Sequence, residues 1–86
     1  MSDVAVTNST CLISLERIDR LEILRASFES VLIPPEVREE FGSEPSWIIV
    51  RPVMNMHLVQ ALRFRLDRGE AAAIALAAEV PTRWSG

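Results

Sequence analysis

The residues of this chain able to do chemistry are oxygen donors. The sequence holds no glycine-rich phosphate loop, no HExxH, no GxSxG and no cluster of cysteine and histidine. His57 is the single histidine, and alone it reads as a helix-surface or packing residue, with a ligand role as the alternative. Cys11 is the single cysteine and reads as a small buried hydrophobe rather than a nucleophile. Asn8 stands at the carboxyl end of a first apolar strand, where open α/β sheets bind their ligands. Glu39 and Glu40 fall in a helix that follows a second strand, and Glu70 falls in the first turn of the last helix. Hard cations such as Mg²⁺ take carboxylate and amide oxygens, a few from protein and the rest from water. Three such groups converging at one sheet edge could hold a metal that activates water for phosphodiester cleavage. Each also has a plainer reading. Glu70 completes a capping box with Asp67, and Glu36, Glu39 and Glu40 form a solvated helix face. From spacing alone the plainer readings prevail.

The elements that must position these residues are short and alternate in type. Val4-Ala5-Val6-Thr7 is a buried-strand pattern. Ser9 or Thr10 is placed to cap a helix through Leu12, Ile13, Leu15 and Glu16. Asp19-Arg20-Leu21-Glu22 has capping-box spacing, and Leu21, Leu24 and Phe28 follow at helical intervals. Val31-Leu32-Ile33 makes a second strand, stopped by Pro34-Pro35. Pro35 opens a helix over Glu36–Phe41 that Gly42 closes. A third strand spans Trp47–Val50, with room to reach Val53. Asn55 caps a helix with Leu58, Leu62 and Leu66 on one face. Asp67 opens the last helix, whose Ala71–Glu79 segment is nearly pure helix former. Strands alternating with helices predict an α/β domain with a parallel sheet. Residues 1–80 form that single domain, and 81–86 read as an irregular tail.

Composition narrows the function classes. The 86 residues allow one modest core. An apolar fraction of 49% with a net charge of −3 opposes intrinsic disorder. The longest apolar runs fall far short of the ~20 residues that cross a bilayer. No basic segment followed by a long apolar one opens the chain, so no secretory signal is read, and a cytoplasmic location is expected. That also undercuts Asn8-Ser9-Thr10 as a glycosylation acceptor. One cysteine permits neither an internal disulfide nor a cysteine-based zinc site. All nine basic residues are arginine, against twelve acids. That balance opposes a DNA-coating protein but leaves room for a nuclease with an acidic site.

The segments VAVTNSTCLISLERIDRLEIL, VLIPPEVREEF, SWIIVRPV and LDRGEAAAIALAAE, in this order and spacing, resemble the PIN-domain superfamily, most of all its VapC-like prokaryotic branch. The likeness runs from Val4 to Glu79, nearly the whole chain. It implies a three-layer PIN-like fold and a ribonuclease site of three or four acids that uses Mg²⁺ or Mn²⁺. Such proteins often act as toxins neutralised by an antitoxin protein. Carried over by position, the first acid falls at Asn8, the second at Glu40 and the third at Glu70. Glu39 takes the second place if the helix register slips. Arg63, Arg65 and Arg68 lie near Glu70 in sequence, where they would contact RNA phosphates or simply form a solvated face.

Two departures from the family pattern stand out. Asn8 keeps an oxygen but removes a charge, which lowers divalent affinity. Family members also continue into a further strand ending in aspartate, whereas here the chain turns into PTRWSG. The expectation is a domain incomplete at the C-terminus, with Val4–Thr7 left as an unpaired apolar edge. Such a chain would dimerise, swap elements, bind a completing partner or be poorly stable alone. A non-catalytic interaction module is the alternative function, and a frameshifted tail the blander explanation of the ending.

Overall fold

A computed structural model describes residues 4–43 and 45–80, together with the backbone of 83–84. The elements follow one another as β1 (Val4–Val6), α1 (Ser9–Arg17), α2 (Glu22–Ser27), β2 (Ser30–Ile33), α3 (Pro35–Phe41), β3 (Ile48–Val50), α4 (Met56–Leu62), α5 (Arg68–Glu79) and β4 (Arg83–Trp84). The sheet order is β3-β2-β1-β4, and each neighbouring pair is parallel. This is the α/β architecture with a short parallel sheet that the alternating pattern predicts.

The caps form where the sequence supplies short polar side chains. Asn55 Oδ1 accepts from Leu58 N at 3.1 Å to start α4, and Asp67 Oδ1 accepts from Glu70 N at 2.9 Å to start α5. Pro35 stands at the first position of α3, where its missing N–H costs nothing. At α1 the cap is Asn8, one residue before the two expected candidates. Ser9 is already inside the helix, so its hydroxyl is released for a distant partner.

Three other expectations are corrected. The capping box from Asp19 to Glu22 does not form, since α2 starts after Leu21 with no side-chain cap. Asp19 instead takes the left-handed conformation, φ 57°, just past the end of α1. Its N–H reaches Glu16 O at 3.0 Å and Arg20 N reaches Leu15 O at 2.8 Å, a Schellman closure that needs one left-handed residue. Aspartate tolerates that conformation, so it ends one helix rather than opening the next. The two outer strand limits also contract. β1 stops at Val6 and β3 runs only from Ile48 to Val50, with Pro52 offering no N–H to extend it. Finally, residues 83–84, expected in an irregular tail, pair with β1 as Ala5↔Arg83 and Val6↔Trp84. β1 is thus an interior strand and not an open edge. A parallel strand with only one neighbour leaves a row of N–H and C=O groups unpaired, and β4 covers that row. The rest of the expected tail lies outside the described residues.

The core forms between the sheet and the helices. Val31 and Ile33 of β2 are buried with Val37 of α3 and Leu12 of α1. Helix α5 lies deepest: Ala71, Ala72, Ala73, Ala75 and Leu76 are all fully inaccessible. Among the described residues no helix is long and apolar enough to cross a membrane.

Gly42 closes α3 with φ 81°, and a Cβ built there meets nothing within 4 Å. The cost of Gly42→Ala is therefore one of backbone conformation alone, about 1 kcal/mol. A thermal melt followed by circular dichroism should show Tm falling by roughly 4–8 °C with the folded spectrum unchanged.

Candidate functional site

The chain winds from β1 to β2 to β3 on one side, then returns to the other side of β1 as β4. An open α/β sheet binds its ligands where the winding reverses, outside the carboxyl ends of the strands. In this fold that place is the segment leaving β1, which is Thr7-Asn8.

Asn8 is buried, with extended backbone angles of φ −108° and ψ 172°. Its Oδ1 accepts from Cys11 N at 2.9 Å, and its carbonyl accepts from Leu12 N at 3.2 Å. The side chain is thereby fixed as the cap of α1, with an amide oxygen held at the strand end. Thr7, the residue before it, is fully buried, and its hydroxyl has no hydrogen-bond partner among the described residues.

Glu40 arrives from α3. Its Oε1 accepts a hydrogen bond from Ser9 Oγ at 2.8 Å, across 31 positions of sequence. The same carboxylate lies over Gly69, with Oε1 nearest, so closely that a Cβ on Gly69 would fall 2.8 Å from Glu40 Cδ. Ser9 follows Asn8, and Gly69 precedes Glu70. The Glu40 carboxylate thus bridges the first turns of α1 and α5, next in sequence to the two other predicted positions. Glu70 is half-buried, with its N–H given to Asp67.

Glu39 goes elsewhere. Its Oε1 stands 2.8 Å from an Arg68 guanidinium nitrogen, with both side chains about half exposed. The hydrogen bond from Arg68 to Glu39 raises the guanidinium pKa above its ordinary value, with Glu39's charge next in weight and Glu36 and Glu40 adding attraction. Arg68 therefore stands beside acids, where the sequence alone had grouped it with Arg63 and Arg65. Those two occupy the turn between α4 and α5 and are exposed, flanking Phe64, which is 90% exposed. His57 is exposed on α4, and Cys11 is half-buried in α1.

A hard divalent cation can be tested against this donor set. Carboxylate oxygens from Glu40 and Glu70 and the amide oxygen of Asn8 are of the right chemical type, and Mg²⁺ commonly takes one or two carboxylates and completes its shell with water. The charge is lower than three acids would provide. Among the described residues, no three His, Cys, Asp or Glu side chains gather as a metal-holding group. The donors fit in kind and fall short in charge.

Two residues that meet the Glu40 carboxylate escaped the sequence reading. Ser9 figured there only as a possible cap, and Gly69 was not singled out. The available signal was a glycine in the first turn of a helix made otherwise of strong helix formers, which weakens that helix.

The sequence model of a family described as PIN domain matches residues 4–84. No curated protein and no solved structure shows a significant match.

Because Asn8 caps α1, Asn8→Ala should lower stability by about 1 kcal/mol, whereas Asn8→Asp should leave it nearly unchanged, aspartate being an equally good cap. Urea unfolding of the three proteins side by side checks this; equal losses in both variants would remove the capping role.

Proposed function

Since the chain belongs to the PIN-domain family, whose fold is nuclease-like and whose members generally use divalent metals, we propose that it is a Mg²⁺- or Mn²⁺-dependent ribonuclease domain of the VapC-like toxin branch. The observation that carries this reading is the Glu40 carboxylate, held between the residue after Asn8 and the residue before Glu70. Glu40 and Glu70 would hold the cation with the help of the Asn8 amide. When bound, the ion supplies Lewis-acid activation of water for attack on a phosphodiester.

The chain's own residues do the positioning. Ser9 orients the Glu40 carboxylate through its hydroxyl, and the Asn8 amide is immobilised by the cap it makes. Arg63 and Arg65 are exposed cations on the turn leading to α5, suited to phosphates of the RNA backbone. Arg68 is restrained by Glu39 and balances part of the acidic charge around Glu40. An antitoxin would be the protein partner of such a toxin.

A second reading is favoured by one specific observation. Asn8 brings no charge, and its oxygen is already committed to Cys11 N–H. A site with two carboxylates in place of three or four suits a non-catalytic interaction module that keeps the fold without the chemistry. Calorimetric titration with Mn²⁺ separates the two: no heat of binding, together with tight binding of a protein partner, selects the module.

The ribonuclease reading predicts metal-dependent RNA cleavage by the purified chain. Glu70→Gln should reduce it by roughly a hundredfold or more, at or beyond the upper end of the loss from removing an outer-shell partner. Cleavage that persists unchanged in Glu70→Gln belongs to a contaminant and ends the proposal. Asn8→Asp, which adds the missing charge to a cap that tolerates it, should tighten Mn²⁺ binding by about tenfold, or roughly 1.4 kcal/mol.

A further inference from the structure

Gly69 is the residue of α5 whose type its own helix favours least. Glycine in a helix is weaker than alanine, and the rest of the helix is alanine-rich. Its backbone does not require glycine either, because Gly42 is the glycine with positive φ among the described residues. Beyond the neighbouring turns of α5 itself, the three nearest atoms to a Cβ built at Gly69 all belong to the side chain of Glu40. The missing methyl group therefore serves one neighbour, the carboxylate whose Oε1 also accepts from Ser9.

We infer that Gly69 and Ser9 are positioning residues that act together: Gly69 provides the space in which the Glu40 carboxylate sits, and the Ser9 hydroxyl fixes it there. The inference deepens the metal-site reading and rests on it for its function, but the placement of Glu40 stands on geometry alone. Glu40 is an exposed residue on the surface of α3, and a glutamate side chain can reach other staggered rotamers. A methyl group at position 69 would consequently evict the carboxylate without displacing the backbone of either helix. The helix gains and the site loses, an opposition that a residue of merely structural importance does not produce.

A thermal double-mutant cycle on the full chain tests the placement without any metal. Gly69→Ala in a Glu40→Ala background should raise Tm by up to roughly 4–8 °C, the full benefit of removing a helical glycine. In the otherwise unchanged protein the gain should be clearly smaller, because eviction breaks the bond from Ser9. Equal gains in the two backgrounds mean no coupling and overturn the inference. Titration with Mn²⁺ tests the consequence. Gly69→Ala and Ser9→Ala should each weaken binding by about 10-fold or more, as loss of an outer-shell partner does, and Ser9→Thr should recover most of it. Undiminished binding in Gly69→Ala overturns the positioning role. Thermal coupling in a chain that binds no Mn²⁺ upholds the placement and overturns the metal reading instead, so the two failures are distinguishable.

Discussion

Helix α5 packs against β1, α3 and α4 at once, and the arrangement of the remaining elements depends on how closely it can approach them. Four of its buried residues are alanines, which project nothing beyond Cβ. Protein interiors close up to crystal-like density, so neighbours of such a helix move in until backbones and larger side chains fill the space. Leu76 of α5, Val37 of α3 and Val6 of β1 do the filling. Alanine is also the best helix former, so local preference and global packing ask for the same residue here. Agreement of that kind is what makes a short chain specify one structure. Gly69 extends the same logic to the helix start, except that the space it leaves receives a carboxylate.

Rotation of α3 decides which glutamate reaches that space. Val37 and Phe41 lie four positions apart on one face of the helix and are both buried. With that face turned inward, consecutive residues point about 100° apart around the axis. Glu39 and Glu40 therefore diverge, one to Arg68 of α5 and the other to Ser9 of α1. Two adjacent acids that look interchangeable on paper have different partners, and the apolar pair beneath them sets the difference. The same burial holds the α3 terminus close to the first turn of α5, so one packing contact governs both the ion pair and the bridging carboxylate.

The winding of the sheet supplies the other half of the site. Because β4 returns to the far side of β1, the strand end bearing Asn8 becomes central rather than marginal. A cap residue at such a place serves two purposes. It satisfies the Cys11 N–H in the first turn of α1, and it fixes an oxygen where a ligand would approach. At the C-terminal end of α5, Glu79 uses both carboxylate oxygens to accept from Met54 N and Asn55 N at 2.9 and 3.1 Å. It anchors the segment that opens α4 to the end of α5. Carboxylates in this fold thus join elements distant in sequence at both ends of its deepest helix.

Much of this was legible from the residues alone. The caps at Asn55 and Asp67, the helix stop at Gly42 and the start at Pro35 all depend on interactions within a few positions. Their residue types therefore reveal them directly. The order of helices and strands follows from apolar periodicity in the same way, and the motif order pointed to the family. Asp19 was misread because a left-handed stop and an N-cap favour the same short polar residues, and only the path of the chain distinguishes them. Pairing of 83–84 with β1 was invisible because a two-residue strand has no periodicity; its neighbour, more than seventy positions away in sequence, defines it. Asn8, Glu40 and Glu70 were identifiable as oxygen donors and were grouped by the resemblance, but the contacts that place Glu40 were not legible. The bond from Ser9 to Glu40 spans 31 positions, and the approach of Glu40 to Gly69 spans nearly as many. Sequence by itself determined most of the local elements and the oxygen-donor character of the candidate residues. Tertiary structure alone decided which carboxylate meets which helix start, because that contact exists only after α3 and α5 have packed through side chains far from the site.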